Sequence, residues 1–362
     1  MSFVPPRCPR LECPFHLEPE GQFYRLRGFY RVRCRRQPIP RFQCRGCGRS
    51  FSRQTFRTDY RDRKPQTNER VLQMLCSGVG LRQIGRTVGL DIHSVQGKLR
   101  KYGRQAALLH DNLCTRLPSG RTFVLDEEET FECKSIRRLT VPMLVDNETW
   151  FLVATAVGSI RRLAVTGSRR WHDQQLEEAK VGPRPDESRQ RVAEVMQALA
   201  RRVGEGSLTL RSDEKALYRV LAREQFGDRV RHETTPGTDP RTADNPLFVI
   251  NVTITMSRDN CGRLRRNSWL VSKKADRLRR HLGLFTVYRN YVRRRFNRDK
   301  PKESAAKLLG LLPRALTWRE ASRWRQDWGE RSIHPMSVTG RVTVGQHDSV
   351  RSTSVAPCLP AV

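Results

Sequence analysis

Acidic residues are scarce in this chain. It has 37 Asp+Glu against 69 Lys+Arg in 362 residues, a formal charge of +32. That balance excludes a cationic partner and sets aside an ordinary metabolic enzyme. The expected ligand is a polyanion, nucleic acid ahead of an anionic membrane surface. Long apolar runs are missing as well. The longest, such as Phe151 to Val157, are strand-sized, far short of the ~18 residues that a spanning helix needs. The opening MSFVPPRCPR has no apolar stretch of a secretory signal. A soluble, cytosolic protein without a membrane partner is therefore expected. In such a compartment cysteines read as metal ligands or buried thiols rather than disulfides. At 37% apolar residues the chain can still build a core, so it is no disordered basic tail.

Cysteine thins out after residue 47. Five of the ten fall within the first 47 residues: Cys8, Cys13, Cys34, Cys44 and Cys47. Cys44-Arg-Gly-Cys47-Gly48 is a knuckle in which two thiolates reach one zinc and glycine permits the tight turn. Cys8 and Cys13 form a looser pair. Phe23, Tyr24, Phe29 and Tyr30 between the pairs suit short strands. Residues 1–62 are read as a zinc ribbon with Cys8, Cys13, Cys44 and Cys47 as ligands; four unliganded buried cysteines are the plain alternative. Cys34 is left over, and His16 is a substitute ligand at best.

The period then turns helical. Val71, Leu72 and Leu75 mark one helix, and Leu81, Ile84 and Val88 a second. After the Gly89-Leu90-Asp91 turn, Ile92, Val95, Leu99 and Tyr102 step through a third. Residues 63–117 are read as a helix-turn-helix. His93, Ser94, Gln96, Lys98 and Arg100 are placed on the outward face, able to read base edges and hold phosphates. A bare three-helix bundle is the alternative.

Beyond a linker at Leu117 to Gly120, residues 118–332 read as a strand ending at the acidic run from Asp126, two more strands, and a basic excursion over residues 161–185. A helix to Val203, a strand ending at Asp213 and a further helix follow, then a short strand and a long helical region from Asn251. Three antiparallel strands, helix, strand and helix match an RNase H-like domain. Its chemistry needs carboxylates converging at strand ends, where two Mg²⁺ ions clamp an in-line phosphoryl displacement. Asp126 and Asp213 are the candidates, although either could serve only a turn or a helix cap. The expected fold is thus multidomain α+β: a small β zinc ribbon, an α helix-turn-helix, an RNase H-like α/β catalytic domain, and a flexible tail over residues 333–362.

In that order the chain resembles the DDE-type transposases of small bacterial insertion sequences. The sharpest local match is Asn251 to Arg258, followed by Arg263-Leu264-Arg265-Arg266 and Ser272-Lys273. In that family a glutamate opens this helix and a basic residue lies seven positions on. Here the pair is Asn251 and Arg258. The resemblance implies a transposase in the bacterial cytoplasm that binds the terminal inverted repeats of an insertion sequence and works as a homo-oligomer on double-stranded DNA. It further implies metal-dependent strand cleavage and strand transfer, with structural Zn²⁺ in the ribbon and two catalytic Mg²⁺. Asn251 would then be the third ligand and Arg258 a phosphate contact. Asparagine offers a carbonyl oxygen without charge, so a catalytically inactive DNA-binding descendant is the second reading and a structure-selective nuclease the third. Residues 258–298 hold 14 Lys+Arg against 2 acids, a surface suited to the phosphates of a DNA end. Arg263, Arg265, Arg266, Lys273 and Lys274 are its candidate contacts. The helix opened by Thr317 and Glu320 is expected to pack Trp318, Ala321, Trp324 and Trp328 on one face.

Overall fold

The computed structural model describes residues 4–34, 37–265, 268–299 and 302–324. They form a mixed α/β protein with a small three-stranded sheet and a larger mixed sheet packed by helices. One helical turn, α1 (Pro14–Leu17), precedes the antiparallel strands β1 (Tyr24–Tyr30), β2 (Ile39–Cys44) and β3 (Ser50–Ser52). Their core is aromatic: Phe23, Phe42, Phe51 and Phe56 close on one another beside Cys8, Cys13 and Cys44. A unit this small buries too little apolar surface to be secure without a further tie.

Three helices follow: α2 (Asn68–Leu75), α3 (Leu81–Val88) and α4 (Ile92–Leu113). Gly89 leaves α3 at φ +65°. Asp91 caps α4 by accepting from the Ser94 amide at 3.1 Å. The sequence phasing carried α4 only to Tyr102. It runs eleven residues further because Ala106, Leu109 and Leu113 keep the helical step and enter the same core as the large sheet. Inside that core His110 bridges the Tyr291 hydroxyl and the Val153 carbonyl, each at 2.9 Å. Burial lowers its pKa to about 4, so the ring is neutral there.

The large sheet holds β4 (Thr122–Glu132), β5 (Lys134–Asp146), β6 (Leu152–Thr155), β7 (Gly158–Ser159), β8 (Leu208–Asp213) and β9 (Val230–Thr235). Its order is β6-β5-β4-β8-β9, with β7 paired to β5. The first three are antiparallel; β8 runs parallel to β4, and β9 parallel to β8. Between β7 and β8 lie α5 (Arg169–Val181) and α6 (Ser188–Val203), and α7 (Ala216–Phe226) links β8 to β9. Then come α8 (Phe248–Asn260), α9 (Ala275–Val287), α10 (Ala305–Leu308) and α11 (Trp318–Arg323). Alternation along the strands separates two cores. Phe123, Leu125 and Leu210 join α6 and α7 on one side, and Val124 joins α8 on the other.

Several sequence expectations are revised. β4 does not end at the acidic run, because β5 continues opposite and pairs every residue from Phe123 to Phe131. The excursion after β7 contains α5, started by the Ser168 hydroxyl on the Trp171 amide. The helix bearing Asn251 begins three residues earlier, at Phe248. The Thr317–Glu320 capping box is formed, and Trp324 is buried, but Trp328 and residues 333–362 lie outside the described residues.

α4 lies against α9 at backbone distance. A Cβ on Gly103 would sit 2.5 Å from the Arg280 carbonyl oxygen, whereas one on Gly97 of the same helix meets nothing within 4 Å. Alanine in an open helical site gains roughly 1 kcal/mol over glycine. Gly97→Ala is therefore expected to stabilise by about 0.5–1 kcal/mol, and Gly103→Ala to destabilise by about 2 kcal/mol through the forced separation of the helices. Urea titration of the two variants checks the opposite signs.

Candidate functional site

The first constellation is the cysteine cluster. Cys8 and Cys13 flank the turn before α1, and Cys44 ends β2 and opens the knuckle to Cys47. Gly48 closes that knuckle at φ +70°, its amide bonding the Cys44 carbonyl at 3.1 Å. Cys8 Sγ lies 3.5 Å from Cys47 Sγ and Cys13 Sγ 3.8 Å from Cys44 Sγ, and all four sulfurs fall within 4.8 Å of one another. Four thiolates ~2.3 Å from one tetrahedral zinc would be ~3.8 Å apart. The cluster therefore fits a zinc ribbon, and it is able to hold a zinc ion. Burial pushes the Cys8 and Cys13 thiols up; a cation at the centre reverses that cost. His16 is not a ligand here: its Nδ1 bonds the Cys8 carbonyl at 2.8 Å and so braces the turn. Cys34 is exposed and contacts the Asp62 carbonyl instead.

The second constellation stands on the large sheet. β8 pairs with β4 in parallel, Thr122 with Thr209 through Val124 with Arg211. Carrying that register on by two residues sets Asp126 abreast of Asp213. Both share the side of the sheet that Val124 occupies, against α8. Burial first, then the charges of Asp213 and Glu127, push the Asp126 carboxyl up to about 6. Asp213 also accepts the Lys215 amide at 3.0 Å, so it shapes the turn into α7 as well.

The raised Asp126 value has a stability consequence. Its folded pKa exceeds the unfolded one, so the folded state holds the proton longer. Stability is full below pH ~4 and is lost as pH rises to about 6. In EDTA, Asp126→Asn is expected to stabilise the protein by about 2 kcal/mol at pH 7 and by nothing at pH 4. Guanidinium denaturation at both pH values checks it. An equal effect at both would remove the electrostatic cause.

The two glutamates after Asp126 point to opposite faces, and neither is a spare ligand. Glu127 accepts from Thr140 Oγ1 at 2.6 Å, Tyr218 OH at 2.8 Å and Ser188 Oγ at 3.0 Å, and is ion-paired with Lys215. Burial alone would raise its carboxyl; the Lys215 and Thr140 bonds outweigh it and hold it below the usual range. Glu128 is buried and forms a two-pronged pair with Arg258 on α8, one arm at 2.8 Å. This corrects the expected phosphate role of Arg258. Its guanidinium fork is committed to fastening α8 to β4. Asn251 is half-buried on the same helix face, seven residues earlier or ~10 Å along the axis. Among the described residues, only the cysteine group brings three or more His, Cys, Asp or Glu ligand atoms within 4.8 Å of one another.

The expected DNA contacts divide. His93, Ser94 and Arg100 are exposed on α4, and Gln96 is half-buried. Lys98 is not on the outward face. It is buried, paired to Asp62 at 3.2 Å and bonded to Asn68, because the segment before α2 folds back over α4. Arg265, Lys273 and Lys274 are exposed, Arg263 is half-buried, and Arg266 lies outside the described residues. Arg289, counted in the basic stretch, is fully buried over the Trp150 ring. Glu127, Glu128, Lys215 and Tyr218 were not among the expected site residues. The signal for one of them was present: an acid two positions after Asp126 shares its face.

No family model matches the chain. No curated protein matches it. Among solved structures it is similar to a chain of the cryo-EM structure of the simian T-cell lymphotropic virus intasome in complex with PP2A regulatory subunit B56 gamma. That match has a TM-score of 0.26 and 11% sequence identity, over 67% of this chain and 72% of that one. Among the described residues no helix is long and apolar enough to cross a membrane.

Proposed function

We propose that the chain is a DDE-type DNA transposase. In this reading the small sheet is a zinc ribbon with one structural Zn²⁺ on Cys8, Cys13, Cys44 and Cys47. The helices α2 to α4 bind the terminal repeats as a helix-turn-helix, and the large sheet is an RNase H-like catalytic domain. One observation carries the proposal: the Asp213 charge acts on the buried Asp126 carboxyl, and the parallel β4–β8 register, paired as far as Val124 and Arg211, leads both toward one side of a sheet ordered β6-β5-β4-β8-β9. Two neighbouring carboxylates, with the Arg241 charge acting on Asp126 but no ion pair to either among the contacts described, suit a hard divalent cation. Asp126, Asp213 and the Asn251 carbonyl oxygen would hold Mg²⁺. When bound, that metal supplies Lewis acidity to the attacking and leaving oxygens of a phosphodiester. The chain's own residues do the rest. Glu127 fastens Asp126 to the turn bearing Asp213, through Lys215. Glu128 and Arg258 fix α8 and hence Asn251. Arg265, Lys273 and Lys274 hold backbone phosphates. Pairing two DNA ends calls for a homo-oligomer.

The test is nicking and joining of a labelled duplex carrying the inverted repeats that flank the gene, with Mg²⁺ and with EDTA. Product in Mg²⁺ alone, absent with Asp213→Ala, supports the proposal. Equal background from both proteins overturns it. The uncharged Asn251 favours one second reading, a non-enzymatic DNA-binding protein of the same descent, which would bind the repeats without cutting them.

A further inference from the structure

A groove of ≈ 690 Å³ runs between α3–α4 and the residues Gly262, Arg263 and Trp269 to Lys274 between α8 and α9. Its floor is apolar, with Ile92, Leu99 and Leu270. Its polar lining includes Arg82, Arg263, Lys273, Lys274 and Arg277, and no Asp or Glu among the described residues lines it. On its rim Trp269 is 97% exposed, the most exposed large hydrophobic side chain among the described residues. The other tryptophans described here are not exposed. An exposed indole beside a cationic groove offers a free face on which a base can stack.

The walls hold unused donors. Arg263 Nε and Arg277 Nη1 are buried without hydrogen-bond partners. Burial, then the Arg277 charge, lowers Arg263 to about 10. Two close guanidinium groups with no ion pair among the described residues favour an anion. The walls are also fixed in place. The Gly78 amide bonds the Asn260 carbonyl at 2.9 Å, and His281 Nε2 donates to the Leu75 carbonyl at 2.9 Å. A Cβ on Gly80 would meet Leu270 at 2.6 Å, and one on Gly262 would meet the Gly78 carbonyl oxygen at 2.7 Å.

We infer that this groove takes one unpaired nucleotide, its base stacked on Trp269 and its phosphate on Arg263 and Arg277. An aromatic platform beside a cationic slot is how proteins hold a base and its phosphate together. The nucleotide comes either from the bound DNA strand or from solution; the chemistry is shared. The inference rests on the DNA-binding half of the proposed function and is independent of cleavage.

The experiment uses the full chain and three probes: a paired labelled duplex, the same duplex with one unpaired 2-aminopurine, and free dAMP. The unpaired probe is expected to bind about tenfold tighter than the paired one, with its 2-aminopurine fluorescence quenched. Trp269→Ala should erase the preference and the quenching while leaving paired-duplex affinity unchanged; Trp269→Phe should keep part of both. Arg263→Gln should reduce the preference without restoring fluorescence. Binding of dAMP alone, lost in Trp269→Ala, assigns the groove to nucleotides from solution. Equal affinity for both duplexes with no dAMP binding overturns the inference. Failure of the paired duplex to bind defeats the DNA-binding half of the proposed function, and the dAMP arm still decides the groove. Because Trp269 packs against almost nothing, its loss does not threaten the fold.

Discussion

Asp213→Ala is expected to lower Mg²⁺-dependent strand cleavage by at least about a thousandfold, with repeat binding retained. Removing a carboxylate from a metal-assisted phosphoryl transfer forfeits metal occupancy and the charge stabilisation that follows from it, worth several kcal/mol. Asp213 also accepts the Lys215 amide, so a purely structural loss must be separated from a catalytic one. Asp213→Asn does this, because its side-chain oxygen keeps the turn. Both variants inactive with unchanged thermal unfolding is the expected pattern; an active Asp213→Asn would leave Asp213 as a turn residue only. The third position is read with Asn251→Ala and Asn251→Glu. If Asn251 supplies a neutral oxygen, Ala lowers cleavage and Glu preserves or raises it. Equal rates for all three remove Asn251 from the site. Rates on the labelled duplex at fixed salt, with binding measured separately, provide the check.

Cys44→Ser is expected to lose the zinc and unfold residues 1–62. The unit has four buried phenylalanines and three short strands around the sulfurs. Structural zinc contributes of order 10 kcal/mol to small domains, more than such a core supplies alone. Metal analysis should give one zinc per unmodified chain and none in Cys44→Ser. Proteolysis should then begin within the first 62 residues and leave the remainder resistant. Zinc retained at full stoichiometry in the variant would assign the metal elsewhere. Cys34→Ser, altering an exposed thiol, serves as the silent control.

Why the elements were readable while their partners were not follows from range. Cys44-x-x-Cys47, the Gly89 turn and the Thr317–Glu320 box are local, and a sequence carries local signals in full. Asp126 and Asp213 were legible as candidates because each follows an apolar strand segment, the run Phe123-Val124-Leu125 in one case and the alternating Leu208 and Leu210 in the other. The extent of β4 was hidden, since what sustains Glu127, Glu128 and Glu129 in a strand is β5, and the side-chain partners of Glu127 and Glu128 come from elsewhere in the chain. Lys98 and Arg258 misled for the same reason. Each looks like a solvated helix cation by spacing, and only the fold supplies Asp62 and Glu128. Trp269 stands among the arginines of the basic stretch, and nothing in its neighbours' spacing marks it as exposed.

One dimension of the molecule has a geometric consequence. The 22 residues of α4 make a rod of ~33 Å, close to one turn of B-form DNA at ~34 Å. Its first turn bears His93 and Ser94, its far end is sunk in the core of the large sheet, and Gly103 lets it lie flush on α9. In the proposed function such a rod would tie the residues offered to the repeats and the catalytic sheet into one rigid piece, with no hinge between them.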